Sequence, residues 1–188
     1  MKILLGGTPV QNAPPATVTI GNFDGVHLGH RHILQRLKSE AAARGLQSTA
    51  VVFEPQPAEF FARLRGCEPP PRLTPLRDKL RLLHESGCVD NVRVLRFNRA
   101  FSQMPAEDFI KHILQRELNT RYLLVGDDFR FGRDRAGSFD LLQNHSGFVT
   151  ERTPSILVAG IRASSTAVRQ ALREGRLKEA EQILGHGC

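Results

Sequence analysis

Runs of apolar residues alternate with helical periodicities along most of the chain. A strand is predicted from about Thr17 to Ile20 in "PPATVTIG". "LGHRHILQRLKSEAAARG" follows, with Ile33, Leu34, Leu37 and Ala41 at helical spacing and Gly45 as its stop. "QSTAVVFEP" reads as a buried strand through Ala50, Val51, Val52 and Phe53, halted by Pro55. A short helix ("AEFFARLRG"), a proline-rich loop ("CEPPPRLTP"), a helix ending at Gly87 ("LRDKLRLLHESG") and a strand ("DNVRVLRF") come next. "PAEDFIKHILQREL" has proline and acids at its start, the chemistry of a helix N-terminus. "RYLLVGDD" is a strand, "FRFGRDRAG" a loop, and "SFDLLQNH" a short helix capped by Ser138. "GFVTERTPSILVAG" is extended, and "SSTAVRQALREG" and "RLKEAEQILG" close the chain as two helices, at about 164–185.

Strands alternating with helices predict an α/β fold: a Rossmann-like, mostly parallel sheet with helices on both faces, in one domain over residues 1–188. Ligands of such sheets sit beyond the carboxyl ends of the strands. The loops to examine are therefore 21–30, 54–57, 126–135 and 160–166.

The first of these lies in "TIGNFDGVHLGHRHIL", residues 19–34. Gly21 and Gly25 flank a turn leaving a strand, where a ligand can approach the main chain. His27 and His30 are three apart at a helix start and so share a face, with Gly29 leaving that face open. The free N–H groups and partial positive charge of the helix N-terminus complete an anion cradle. A surface strand–turn–helix junction could also hold two solvent-facing histidines. The context G-x-F-D-G-x-H-x-G-H favours the cradle, because one anionic ligand accounts for the glycines, the acid and the histidines together. Neither G-x-x-x-x-G-K-[ST] nor G-x-G-x-x-G occurs, which disfavours P-loop kinases and dinucleotide-binding dehydrogenases.

Composition adds little beyond sign. The 188 residues are 40% hydrophobic and 24% charged, as in a globular protein. No apolar run reaches the roughly 18 residues of a membrane helix, and "MKILLGG" lacks the pattern of a signal peptide, so a cytoplasmic location without membrane contact is expected. The net charge of +7 points to an anionic partner without saying which. The basic residues are scattered, and one Tyr and no Trp are poor means of stacking on bases, so a nucleic-acid partner is not expected. Cys67, Cys88 and Cys188 are far apart. A zinc site made by two of them with His27 and His30 would lack the usual close-spaced ligand pairs, and no protein-held metal is expected.

Two further segments read in two ways. Ser164, Ser165 and Thr166 precede a helix with Arg169 in its first turn; they are either plain N-caps or a second anion site. "VGDDFRFG", residues 125–132, is either a polar turn with core phenylalanines or a pocket wall for a planar ligand.

The chain resembles the bacterial FAD synthetases of the nucleotidyltransferase superfamily, which carry an H-x-G-H motif. "GNFDGVHLGH", "VVFEPQP", "RLTPLRDKLRLL", "AEDFI", "VGDDFRFG" and "ASSTAVRQALREGRLKEAEQILG" match that family in order and cover almost the whole chain. The resemblance implies FMN adenylyltransferase activity, ATP and FMN giving FAD and pyrophosphate, with Mg²⁺ accompanying ATP. It implies His27, His30, Ser164, Thr166 and Arg169 as catalytic residues. ATP would lie on Gly21, Asn22, Phe23, Asp24, His27, Gly29, His30, Gly126, Asp127, Ser164, Ser165, Thr166 and Arg169, and FMN on Phe53, Pro55, Gln56, Asp128, Phe129 and Arg130. The alternative within the superfamily is another phosphorylated acceptor. Gln56 stands where the family commonly has His, and Ala163 where it has Ile. The riboflavin kinase module that usually follows is not expected within these residues.

Overall fold

The structure, a computed structural model, describes residues 1–6, 13–145 and 147–187. Six strands form one parallel sheet in the order β1-β4-β3-β2-β5-β6: β1 (Lys2–Leu5), β2 (Ala16–Ile20), β3 (Gln47–Glu54), β4 (Asn91–Arg96), β5 (Thr120–Gly126) and β6 (Val149–Thr153). β2 lies between β3 and β5. From β2 the chain winds outward through β3 and β4, then crosses back to β5 on the other side. That reversal makes the ends of β2 and β5 a topological switch point, where open α/β sheets leave a crevice.

Side chains alternate across the sheet as period 2 requires. On β3, Ala50 and Val52 pack with Leu34, Leu82 and Leu83, under α1 (Leu28–Arg44), beyond which α2 (Pro57–Leu64) leads to α3 (Leu76–Glu85). Val51 faces the other way, with Leu123, Val125, Phe109, Ile110 and Leu114. Tyr122 and Leu124 of β5 meet Leu37 of α1. The α1 helix ends as its sequence predicts: Gly45 is left-handed (φ 63°), and the N–H of Leu46 reaches back to the carbonyl of Ala41.

Four features differ from the sequence expectation. "KILL" forms β1, an edge strand paired in register with β4 (Lys2 opposite Asn91), too short for an alternating pattern to show. A one-turn helix, α4 (Arg99–Ser102), is capped by Asn98. The helix from Ala106 begins as α5 (Ala106–Asp108) and widens to π geometry over Phe109–Glu117, closed by Leu118 N–H to Ile113 C=O at 3.0 Å. After α6 (Phe139–Gln143), the extended segment breaks at Thr153, and β7 (Leu157–Val158) and β8 (Ile161–Arg162) form a hairpin. Its two-residue turn is Ala159–Gly160 (φ 49° and 80°), the positive-φ geometry that fits tight hairpins. Helices α7 (Ser165–Arg173) and α8 (Leu177–Leu184) pack together through Val168, Ala171, Ala180 and Ile183. Among the described residues no helix is long and apolar enough to cross a membrane, and no group of three or more His, Cys, Asp or Glu could hold a metal ion. Cys188 lies outside the described residues.

Candidate active site

The loop leaving β2 is built from unfavourable backbone. Phe23 (φ 49°), Gly25 (φ 79°) and Val26 (φ 40°) are all left-handed, a conformation non-glycine residues rarely adopt. A Cβ at Gly25 would also press on the methyl ends of Leu73 at 2.9 Å and Leu184 at 3.0 Å, so glycine suits the position by both conformation and space. Contacts from distant segments hold the loop in place. The Asp24 carboxylate, 1% exposed, accepts the N–H of Leu73 (3.1 Å to each oxygen) and of Thr74 (3.1 Å), and pairs with Arg169. The N–H of Gly25 donates to the Thr74 hydroxyl at 3.0 Å, and the Ser165 hydroxyl donates to the Asp24 carbonyl at 2.9 Å. The Nε2 of His186 lies 2.8 Å from the Gly25 carbonyl. The 72–74 segment and the start of α7 are therefore structural partners of this loop, which is why the loop can keep strained geometry.

His27 is the N-cap of α1: its Nδ1 accepts the N–H of His30 at 3.3 Å. An accepting Nδ1 leaves the proton of neutral imidazole on Nε2. The His27 and His30 rings stack at 3.6 Å between centroids, 20° from parallel, and Phe23 lies 4.9 Å from His30. Burial lowers the pKa of His27 to about 4, against a smaller opposing pull from Asp24. His30 is held well below its ordinary value by burial, then by His27 and by the ammonium of Lys79. Burial therefore favours the neutral form of both imidazoles.

Gly29 sets the distance between the two helix N-termini. A Cβ there would lie 2.8 Å from the Ala163 carbonyl and 3.0 Å from the His27 ring. The start of α1 thus abuts the residue preceding Ser164, and the two candidate anion sites meet. Ser164 caps α7, its oxygen accepting Ala167 N–H at 3.1 Å. The S-S-T segment caps a helix, as one of its two readings expects, and Ser164, Ser165 and Thr166 line the same cavity as His27 and His30.

These elements surround a cavity of about 390 Å³ at the carboxyl ends of β2, β5 and β6. Of the sequence candidates, Gly21, Asn22, Phe23, Asp24, His27, Gly29, His30, Gln56, Gly126, Asp127, Asp128, Phe129, Ser164, Ser165, Thr166 and Arg169 line it. Phe53, Pro55 and Arg130 do not. Phe53 instead packs edge-on against Phe97 at 5.8 Å and also contacts Phe101, because alternation along β3 turns it into the core. Asp24 and Arg169 line the cavity but are committed to each other, and Arg169 Nε also donates to the Pro71 carbonyl at 2.7 Å. Sequence reasoning missed Thr153, Ser155, Ile156 and Arg162. A break read at Pro154 would have put Thr153 at a strand's carboxyl end. Arg162 bridges Asp127 and Asp128, at 3.0 Å each, and Ser155 donates to Asp127 at 2.7 Å. That hydroxyl, and then Arg162, hold Asp127 below the usual carboxylate range. Among the described residues, His30 Nδ1, Gln56 Nε2 and Thr153 Oγ1 are buried in the wall without a hydrogen-bond partner. Buried polar atoms left unpaired in a cavity wall are what a polar ligand would satisfy.

A parallel α/β sheet with two helix N-termini converging on a switch-point cavity defines a Rossmann-like fold equipped to hold a phosphorylated ligand. Residues 10–167 match the FAD synthetase family, and the chain belongs to it. It is 47% identical over 191 residues to the bifunctional riboflavin kinase/FMN adenylyltransferase of Escherichia coli, covering 99% of this chain and 60% of that protein. The proteins of the same description from Haemophilus influenzae and Pseudomonas fluorescens are 43% and 44% identical, with 89% of this chain and 54% and 53% of theirs covered. The chain thus spans about half to three-fifths of the length of these relatives. A solved structure described as a macrolide-efflux protein from Streptococcus pneumoniae superposes with a TM-score of 0.85 at 22% identity, over 99% of this chain and 62% of that one, a likeness of fold.

Proposed function

We propose that the chain transfers the adenylyl group of ATP to the phosphate of FMN, giving FAD and pyrophosphate. The observation that carries this reading is the meeting of His27, Gly29 and His30 with Ser164–Thr166 across one cavity, in a chain of the FAD synthetase family. An FMN phosphate oxygen attacks the α-phosphorus in line; the new P–O bond forms as the bond to the β-phosphate oxygen breaks, and pyrophosphate departs. The nucleophile is already an anion, so catalysis is positioning and charge stabilisation. His27, with its proton on Nε2, and His30 donate to oxygens of the α-phosphate and of the departing pyrophosphate. The triphosphate raises the pKa of both imidazoles, opposing the burial that lowers them. Ser164, Thr166 and Arg169 hold the β and γ side. Gln56 Nε2, Thr153 Oγ1 and the ring of Phe129 lie on the cavity wall offered to the flavin. Mg²⁺ would enter with the ATP phosphates and supply neutralisation of their charge.

The test is to incubate the protein with MgATP and FMN and to separate the products by chromatography, with riboflavin as the parallel acceptor. FAD forms from FMN alone. His30→Ala lowers kcat by about 10²–10³, the cost of one positioned donor, with FMN affinity nearly unchanged. Absence of FAD with the intact protein, or normal turnover by His30→Ala, defeats the reading.

A further inference from the structure

Beneath the cradle lies a cluster of charges, of which the reaction scheme uses Arg169 alone. Three carboxylates, Asp24, Glu54 and Glu59, are grouped with three cations, Arg72, Arg169 and Lys79. Arg72 is committed to Glu54 (2.7 and 3.0 Å) and to Glu59. Arg169 is committed to Asp24. Lys79 is fully buried, at 0% exposure, and its Nζ has no hydrogen-bond partner among the described residues. An ammonium in that position is costly unless something else needs it there.

Its place in the chain indicates what needs it. Lys79 lies on α3, one turn past Pro75, whose carbonyl accepts its N–H at 3.0 Å. The residues just before, Leu73 and Thr74, are those whose amides hold the Asp24 carboxylate. Burial lowers the pKa of Lys79, and attraction to Asp24 is the largest influence opposing that. Arg169 spends Nε on the Pro71 carbonyl and Nη2 on Asp24, so a triphosphate gripped by its remaining N–H donors competes with Asp24 for the guanidinium charge. Asp24 is 1% exposed and cannot turn to water for compensation.

We propose that Lys79 is a positioning residue for ATP: its ammonium is the standby partner of Asp24, neutralising that carboxylate when the triphosphate draws the Arg169 guanidinium away. The proposal rests on the reading of Arg169 as a phosphate ligand. Its energetic logic is an exchange of partners: the Asp24–Arg169 pair gives way to Asp24–Lys79 and Arg169–phosphate, and no buried carboxylate is left uncompensated.

Two measurements test it, one of which needs no ligand. Chemical denaturation is run on Arg169→Met, Lys79→Met and the double variant of the full chain. Each single variant leaves Asp24 one cation and shifts the midpoint slightly; the double variant leaves none and loses far more than the two shifts together. Calorimetric titration with MgATP, without FMN, then compares wild type with Lys79→Met. The Kd rises at least about tenfold, the low end of the coupling seen for close charge pairs, because Arg169 stays locked to Asp24. Additive single and double variants overturn the proposal, as does a Lys79→Met protein that binds MgATP like wild type. Lys79→Gln is read in the same way should the methionine variant not fold, and collapse of both Lys79 variants overturns the proposal, since Lys79 would then be needed even with Arg169 in place. Failure of the wild-type protein to bind MgATP sinks the adenylyltransfer reading instead, while the denaturation cycle still decides whether Lys79 backs Asp24.

Discussion

Asp24→Ala is the substitution that most directly tests how the strained loop is held. The side chain is 1% exposed and accepts two backbone N–H groups, of Leu73 and Thr74, as well as pairing with Arg169. Hydrogen bonds to a charged acceptor contribute about 1.5–3 kcal/mol each, so the two amides account for about 3–6 kcal/mol. The Arg169 side chain is 18% exposed and can turn toward water, so its loss adds only about 1 kcal/mol. Relief of the buried carboxylate's own desolvation offsets part of the sum. A net loss of about 3–5 kcal/mol follows, a large share of the 5–15 kcal/mol typical of a whole domain. Urea denaturation followed by circular dichroism measures it: at a slope of about 2 kcal/mol/M the midpoint falls by roughly 2 M, with the slope unchanged. Asp24→Asn keeps one acceptor but turns the other half of the head group into a donor facing two N–H groups, so it is not a mild substitution. A loss below about 1 kcal/mol for Asp24→Ala would refute the reasoning, because the left-handed loop would then stand without the carboxylate.

Three further outcomes follow from the same geometry. The pKa of His27 falls from 6.5 to about 4 on folding, so the folded state resists the proton that the unfolded chain accepts. Stability is full above pH 6.5 and drops as pH falls toward 4, by up to about 3 kcal/mol from this group. His27→Asn keeps an N-cap and removes the titration, so the difference between its midpoints at pH 7 and pH 4.5 is smaller than in wild type. Gly29→Ala gains up to about 1 kcal/mol of helix propensity, yet its Cβ meets the Ala163 carbonyl at 2.8 Å, which is backbone and cannot swing aside. The variant loses about 1–3 kcal/mol net, and its melting curve and MgATP affinity both show it. Arg72→Met strips Glu59, whose side chain is 6% exposed, of its counter-ion and lowers stability by about 2–4 kcal/mol in the same urea assay.

Much of this was legible because local patterns and the fold agree. Gly45 ends α1 where the apolar spacing stops, and Pro55 follows the end of β3. The H-x-x-H pair could be assigned to one face because i and i+3 positions on a helix are neighbours, and the rings do stack. What could not be read is what depends on contacts distant in sequence. Asp24 was a candidate ligand because it lies between two glycines; that its carboxylate is used up by residues 49 to 145 positions away is a tertiary fact. The resemblance set Phe53 among the flavin ligands; its packing with Phe97 and Phe101 depends on partners 44 and 48 positions away and could not be read locally. Nothing local marks the π geometry over Phe109–Glu117. The β7–β8 hairpin was hidden because Ala159, an ordinary residue, takes the positive φ usually signalled by Gly or Asn.

The electrostatics of the site bear on what it can select. The chain carries a net charge of +7, yet the cavity is not an open positive funnel. Its two lining arginines, Arg162 and Arg169, are bound to Asp127, Asp128 and Asp24, and its two lining histidines are neutral. A ligand that reaches only one helix N-terminus gains a few amide contacts and must displace a carboxylate to gain an arginine. A ligand long enough to touch the α1 and α7 N-termini together collects both sets of amides, protonates or polarises the imidazoles, and offers Arg169 more charge than Asp24 does. On the proposed adenylyl-transfer reading, pairing the cations internally would weaken binding of short anions more than of a triphosphate. Selectivity for the longer phosphate chain would then arise from the cost of breaking the internal pairs, and removing Asp24 or Lys79 would shift that balance.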